Sequence, residues 1–123
     1  MNVYVATRNN MVGVVLTGTH NKIYFYKAFE TQTTDKEAQT VLATQRAVSF
    51  AIGNKVLYAG NSINVYTEDD VSLDKFNNEY FNRLNYPIEI KQATTDEEKK
   101  LMVFANSEIT SELRRIYIGY NGR

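Results

Sequence analysis

The chain contains two short segments in which arginine stands close to aromatic residues. The first is Tyr80-Phe81-Asn82-Arg83, and the second is Arg114-Arg115 with Tyr117 two residues later. A guanidinium group offers a phosphate a fixed fork of donors, and an aromatic face stacks on a nucleobase. These residue types predict a site for a small anionic nucleotide, with one further cation from an early turn. We expect the ligand to be bound by Phe81, Arg83, Arg114, Arg115, Arg8 and Tyr117.

The stacking role of Phe81 depends on where that residue lies on its helix. Helical spacing predicts a buried stripe formed by Leu73, Phe76, Tyr80 and Leu84. At about 100° per residue, Phe81 and Arg83 fall on opposite edges of this stripe. A phenyl ring at the edge of a stripe is partly exposed, so we expect one face of Phe81 to be open to a base.

Catalytic chemistry has little support in the sequence. His20 is the only histidine, and nothing nearby arranges it between a carboxylate and a nucleophile. The chain has no cysteine, which excludes thiolate catalysis and zinc–thiolate sites. The first thirty residues contain no aspartate and one glutamate, Glu30. Since hard cations need charged oxygen ligands, we expect no metal, no cofactor and no enzymatic activity.

The composition is that of one globular domain spanning residues 1–123. Fourteen acidic and fourteen basic side chains give a formal net charge of zero, whereas proteins that bind extended nucleic acid or membranes usually carry a basic excess. No apolar run approaches the length of a membrane span. We therefore expect a cytoplasmic protein with a local basic site and no extended nucleic-acid partner.

The first part of the chain reads as three strands and a helix. Residues 2–7, 11–18 and 22–29 predict an antiparallel meander, with Val12, Val14 and Leu16 on one face of the second strand. A capping box of Thr34 and Glu37 predicts a helix over residues 35–52 that stops at Gly53. The spacing predicts that the buried face of this helix consists of Ala38, Val41, Leu42, Val48 and Ile52.

The second part alternates strands and helices. The pattern predicts a strand over residues 55–59 and 63–66 that is broken by Gly60-Asn61-Ser62. It also predicts a helix that begins near Ser72 and ends before Pro87. Residues 88–92 form a short strand, and a capping box of Thr95 and Glu98 opens the last helix. Residues 114–123 fit either a final helical turn or a last strand. The expected fold is α+β, with a mixed sheet, the order βββαβαβα and helices packed on the sheet.

The last helix also predicts a subunit contact. Its apolar stripe runs through Leu101, Met102, Ala105, Ile109, Leu113 and, if the helix extends that far, Ile116. Val103 and Phe104 lie outside this stripe, and an exposed phenylalanine beside a valine is typical of a contact between subunits. The alternative is burial of Phe104 against a neighbouring loop.

The order of elements resembles the ribonuclease H fold. The nucleases of that fold hold magnesium with a carboxylate on the first strand, a glutamate in the first turn of the first helix and an aspartate at the fourth strand. Here the first strand reads Asn2-Val3-Tyr4-Val5-Ala6-Thr7, Glu37 matches the helix position, and Asn61-Ser62 resembles the fourth-strand step. Glu97, Glu98 and Glu108 are available on the last helix. The resemblance implies the architecture without the carboxylates that cleavage requires.

A second resemblance concerns function. The opening Val3-Tyr4-Val5-Ala6-Thr7-Arg8-Asn9, the meander, the Phe81-Asn82-Arg83 segment and Arg114-Arg115 are similar to the phage Thoeris anti-defence proteins. This "sponge" family captures cyclic ADP-ribose signals made by bacterial TIR-domain enzymes. The resemblance implies a homo-oligomer built from dimers, in the host cytoplasm if the protein is encoded by a phage. It also implies a nucleotide held between subunits by an aromatic residue and arginines and released intact.

These observations lead to three hypotheses. The first is that the protein sequesters a cyclic nucleotide immune signal without cleaving it, and so blocks anti-phage defence. The alternative is a catalytically inactive ribonuclease-H-like module that binds nucleic acid or protein. The third is a metal-dependent nuclease whose ligand set the sequence does not reveal.

Overall fold

The structure is a computed structural model that describes residues 1–55 and 62–121. Its strands are β1 (Asn2–Arg8), β2 (Met11–Thr17), β3 (Ile23–Glu30), β4 (Ile63–Thr67) and β5 (Ile88–Lys91). Its α-helices are α1 (Lys36–Gly53), α2 (Glu79–Leu84) and α3 (Asp96–Asn121), and single turns of 3-10 helix span Thr19–Asn21 and Leu73–Phe76. The α+β class and the order βββαβαβα are confirmed. The predicted strand at residues 55–59 falls almost wholly outside the described residues.

The five strands form one mixed sheet in the order β3-β2-β1-β4-β5. β1, β2 and β3 are antiparallel neighbours, as the meander predicted, and β4 and β5 run parallel to β1. Asn9 makes the tight β1–β2 turn with a φ of 55°, a left-handed conformation that asparagine tolerates. The C-terminal ends of β1, β4 and β5 therefore lie at the same edge of the sheet.

Helices cover both faces of the sheet. α1 and α2 pack on the face that carries Val12, Val14 and Leu16, and α3 packs on the face that carries Tyr4 and Val15. Every residue of β2 is buried, because β2 lies between helices on both sides. Gly13 permits the close approach of α3, since a Cβ atom there would lie 2.0 Å from the Ala105 carbonyl oxygen.

The predicted buried face of α1 is correct for Val48 and in part for Val41, which is partly buried against the same core, but it is wrong for Leu42 and Ile52. Leu42 is 45 % exposed, and Ile52 is exposed as well. Small and polar residues face the sheet because they let the helix backbone approach it, and the hydroxyl groups of Thr40 and Thr44 bond to carbonyls four residues earlier. The buried residues of α1 are Gln39, Thr40, Ala43, Thr44, Ala47, Val48 and Ala51.

The N-terminus of α1 also differs from the prediction. Asp35 is the capping residue, and its carboxylate accepts the Ala38 amide proton at 3.3 Å. Glu37 instead accepts the backbone N–H of Ser72 at 2.8 Å. The expected Thr34–Glu37 capping box is therefore wrong, because the helix begins one residue later and Glu37 reaches across to another segment.

The helix predicted to begin near Ser72 is two short pieces. The 3-10 turn at Leu73–Phe76 ends at Asn77, and Asn78 then caps α2 by accepting the Phe81 amide proton at 3.0 Å. α2 ends at Leu84, and its C-cap Asn85 adopts a left-handed conformation two residues before Pro87, so the predicted stop is confirmed.

α3 follows the prediction closely at its start. Thr95 and Glu98 form the expected capping box, with reciprocal bonds of 3.1 Å. Leu101, Met102, Ala105 and Ile109 are buried, and residues 114–121 are helical, which settles the two alternatives for that segment. From residue 110 to residue 118 every side chain of α3 is at least partly exposed.

Candidate functional site

The parallel pairing of β1 and β4 brings a hydroxyl and a carboxylate together at one edge of the sheet. Val5 pairs with Thr67, so continuing the register places Thr7 beside Asp69. The Thr7 hydroxyl donates a hydrogen bond of 2.7 Å to Asp69 Oδ2. Carboxyl ends of parallel strands are the usual place for a ligand site in sheets covered by helices on both faces.

The N-terminus of α1 adds a cation to this edge. Lys36 Nζ donates to Thr7 Oγ1 at 3.2 Å, which makes a chain from ammonium to hydroxyl to carboxylate. The helix is held there by buried Gln39, whose Nε2 donates to the carbonyl oxygens of Asn9 and Thr33 at 2.7 and 2.9 Å. We call Thr7, Lys36 and Asp69 the strand-end triad.

The other side of the triad is an open cavity under α3. Its volume is about 260 Å³, and its lining includes Thr7, Glu68, Asp69 and Asn106. Arg8 closes one flank of this region by donating to Asn106 Oδ1 at 2.7 Å. The lining carries two carboxylates, Glu68 and Asp69, and the Lys36 ammonium and Arg8 guanidinium lie beside it through their bonds to Thr7 and Asn106.

The strand-end triad does not fit a divalent metal. It supplies one carboxylate, while the Lys36 ammonium is itself a cation in contact with the same hydroxyl that Asp69 accepts from. Within residues 1–55 and 62–121, no three acidic, histidine or cysteine side chains are grouped so that they could hold a metal ion. A bound metal with charged oxygen ligands would have to displace the lysine.

The resemblance matched the fourth-strand step to Asn61-Ser62, which precede β4 in the chain. Asn61 lies outside the described residues, and Ser62 sits beside the chain start, where its carbonyl accepts from the Met1 amino group at 3.2 Å. The C-terminal end of β4 carries Glu68 and Asp69 instead. The signal that could have revealed Asp69 is the run of acidic residues that directly follows a predicted strand.

Phe81 does not have the exposed face that its position on the stripe predicted. Its side chain is 4 % exposed, and the rings of Phe76 and Tyr80 contact it edge-on at centroid distances of 5.2 and 5.0 Å. The prediction is wrong because the break before Asn78 gives α2 its own orientation and turns Phe81 into the core. Tyr80 is the half-exposed ring, and its hydroxyl lies 2.6 Å from Ser49 Oγ.

The other predicted ligand residues lie on separate surfaces. α2 packs on the α1 side of the sheet, where Arg83 pairs with Glu79 at 2.6 Å. α3 packs on the opposite side, where Arg115 pairs with Glu112 at 2.8 Å, and Arg114 and Tyr117 are exposed. The structure therefore does not bring the two arginine-containing segments together, and the binding roles of these residues stay predictions.

Glu98, one of the acidic residues considered for a metal site, has a structural position instead. Its carboxylate accepts the backbone N–H groups of Thr94 and Thr95, and these bonds lower its pKa to about 2. The Tyr66 hydroxyl also donates to it at 3.1 Å. Burial, together with that bond, raises the pKa of Tyr66, whose ring stacks on buried Tyr4 at 4.5 Å. Glu98 thus ties the start of α3 to the sheet.

Comparison with known proteins supports the fold and leaves the family open. The chain is similar to the crystal structure of RNase H1 from the halophilic archaeon Halobacterium salinarum NRC-1, with a TM-score of 0.51 and 14 % sequence identity. The similarity covers 90 % of this chain and 99 % of that one. At this identity it shows a common fold alone. No family model and no curated protein matches the chain. None of the described helices is both long enough and apolar enough to cross a bilayer.

Proposed function

We propose that this chain is a ribonuclease-H-like module that does not cleave nucleic acid and acts by binding a protein. The proposal rests on the strand-end triad. In it the Lys36 ammonium contacts the Thr7 hydroxyl at the position where a metal-dependent site would bind its metal cations. Two-metal phosphoryl chemistry requires several converging carboxylates, and β1 has none.

The charge around the cavity favours protein over nucleic acid as the partner. Glu68, Asp69 and Asp70 follow one another at the end of β4 and would repel a phosphate backbone in the absence of a metal. The zero net charge also favours a protein partner over nucleic acid. Exposed apolar side chains on α3, including Val103 at 67 % exposure and Ile118, offer the kind of surface that proteins recognise.

Capture of a cyclic nucleotide, which the family resemblance implies, is a second hypothesis that the same protein preparation can test. The resemblance supports this hypothesis, but no contact among the described residues does. Phe81 is buried, and Arg83 lies on the opposite face of the sheet from Arg114. Calorimetry with cyclic ADP-ribose should give no binding heat. A fitted site that Arg114→Ala weakens would favour this second hypothesis.

The proposal is tested by incubating the protein with labelled RNA–DNA hybrid, RNA and DNA in Mg²⁺ or Mn²⁺. We expect the substrates to remain intact, and we expect fluorescence anisotropy to give only non-specific affinity, with a dissociation constant of about 10⁻⁴ M or weaker. Cleavage that disappears in Asp69→Asn but persists in Glu89→Gln would refute the proposal. Glu89 is a suitable control because its carboxylate is exposed on β5 beside Lys91.

A further inference from the structure

Among the residues of α3 whose burial the structure describes, the side chains that follow Ile109 are more exposed than those that precede it. Leu101, Met102, Ala105 and Ile109 belong to the hydrophobic clusters that join α3 to the sheet. Beyond Ile109 the helix continues to Asn121, a distance of about 18 Å at 1.5 Å per residue. We call residues 110–121 the α3 tail.

The composition of the α3 tail does not favour an isolated helix. It contains Ile116, Tyr117, Ile118 and Gly119, whose helix propensities are low. The tail extends a helix already formed by residues 96–109, so its stability depends on the propensities of its residues and on the packing of an apolar face. A helical tail of this composition therefore calls for a partner.

The apolar face of the tail is a continuation of the buried stripe. Leu113 and Ile116 follow Ile109 at spacings of four and three residues, so all three lie on one side of the helix. Ile109 is fully buried, whereas Leu113 and Ile116 are both 39 % exposed. Ile118 lies on nearly the opposite side, about 200° of rotation from Ile116.

The order of charges along α3 identifies the partner. Carboxylates come first, at Glu108 and Glu112, and arginines follow at Arg114 and Arg115. Two copies of this segment side by side in the same direction would bring like charges together. Glu112 and Arg115 lie on the same flank of the Leu113–Ile116 side, whereas Arg114 is about 200° of rotation from Ile116. Two copies in opposite directions therefore bring Glu112 of each next to Arg115 of the other, which is the self-complementary arrangement of a two-fold interface.

We infer that the α3 tail is a dimerisation surface whose partner is the α3 tail of a second copy of this chain, in antiparallel orientation. Leu113 and Ile116 of each copy form the apolar centre, and Glu112 of each copy pairs with Arg115 of the other. The Glu112–Arg115 pair within one chain is solvent-exposed on its arginine side and is readily exchanged for the pair between chains. This inference rests on the proposed function, since it names the protein partner.

The test is the mass of the full chain in solution, measured by light scattering and sedimentation equilibrium at micromolar concentrations. We expect a dimer with twice the 14.1 kDa chain mass. Ile116→Asp should raise the dimer dissociation constant about a hundredfold or more, because two apolar contacts are lost at the two-fold axis. Ile118→Asp is the matched control and should leave the dimer intact. Circular dichroism and melting curves show whether each variant is folded.

Charge reversal tests the direction of pairing. Glu112→Arg and Arg115→Glu should each weaken the dimer about tenfold, and an equimolar mixture of the two variants should restore it. A parallel pair already places like charges together, so single reversals that leave the dimer unchanged would overturn the antiparallel arrangement.

Three results would overturn the inference outright. They are a monomeric wild-type chain, equal effects of Ile116→Asp and Ile118→Asp, and a dimer that is lost only in Val103→Asp or Phe104→Glu. The last result would support the contact predicted from the sequence, although Phe104 is half-buried against Tyr26 at a centroid distance of 5.3 Å. A monomer that cleaves no hybrid refutes the dimer alone, and a dimer that cleaves hybrid refutes the proposed function alone.

Discussion

Glu98 joins the start of α3 to the sheet through a single carboxylate, and its pKa has a consequence for stability. The folded pKa is about 2, below the ordinary value of 4.5, because the amides of Thr94 and Thr95 bind the charged form. A depressed pKa contributes stability above the unfolded value, and this contribution is lost as the pH falls through the folded value. Glu98 therefore loses its contribution to stability as the pH falls from about 4.5 to about 2.

Glu98→Gln removes this titration and the negative charge while retaining one carbonyl oxygen, the kind of atom to which both amides donate. At pH 7 we expect its melting temperature to lie about 4 °C below that of the wild type, the shift that corresponds to roughly 1 kcal/mol of lost capping energy. The difference should shrink as the pH falls from 4.5 towards 2. Thermal denaturation followed by circular dichroism measures this. Glu89→Gln is the control, and an equally pH-dependent difference for that variant would argue against a special role of Glu98.

Single residues were predictable from the sequence where their partners are close in the chain. The Thr95–Glu98 capping box lies within four residues, and it formed as predicted. Asp69 was missed because its role depends on the register between β1 and β4, strands about sixty residues apart. Phe81 was misplaced because one asparagine cap, Asn78, changed the orientation of α2.

At the scale of elements, α1 shows that a helix can bury its least hydrophobic side. Its apolar residues Leu42 and Ile52 are exposed, while alanine and threonine contact the sheet. Periodicity in large apolar residues is the main signal for a helix face, so it fails where small residues are required for close approach. The helix itself was predicted within one residue at each end, because Gly53 and the polar residues before Lys36 mark its limits.

This packing predicts unequal effects of two substitutions in α1. Ala47→Leu should lower the free energy of unfolding by about 1–3 kcal/mol, because a fully buried alanine has no room for a larger side chain. Leu42→Ala should change it by less than about 0.5 kcal/mol, since Leu42 is on the surface. Urea denaturation gives both values. If Leu42→Ala were the more damaging change, the helix face predicted from the sequence would be the buried one.

At the scale of the whole molecule, element order specified the architecture more reliably than any motif specified the function. A three-strand meander followed by two strand–helix units leaves few ways to cover a mixed sheet on both faces. The similarity to an RNase H1 structure extends over 90 % of the chain at 14 % identity. Sites differ independently of the fold that carries them, and here the strand ends carry Thr7, Lys36 and Asp69 in hydrogen-bond contact. The sequence alone did not predict this triad, because its three residues come from β1, the N-terminus of α1 and the segment after β4, which meet only in the folded chain.

We expect Lys36, Thr7 and Asp69 to exclude a divalent cation from the strand ends. Titrating the protein with Mn²⁺ and measuring free Mn²⁺ by electron paramagnetic resonance tests this exclusion. The wild type should remove no Mn²⁺ beyond what Asp69→Asn removes, and Thr7→Asp combined with Lys36→Met should create a site by adding carboxylate charge and removing the ammonium. Binding of Mn²⁺ by the wild type that Asp69→Asn abolishes would show that the strand ends hold a metal ion.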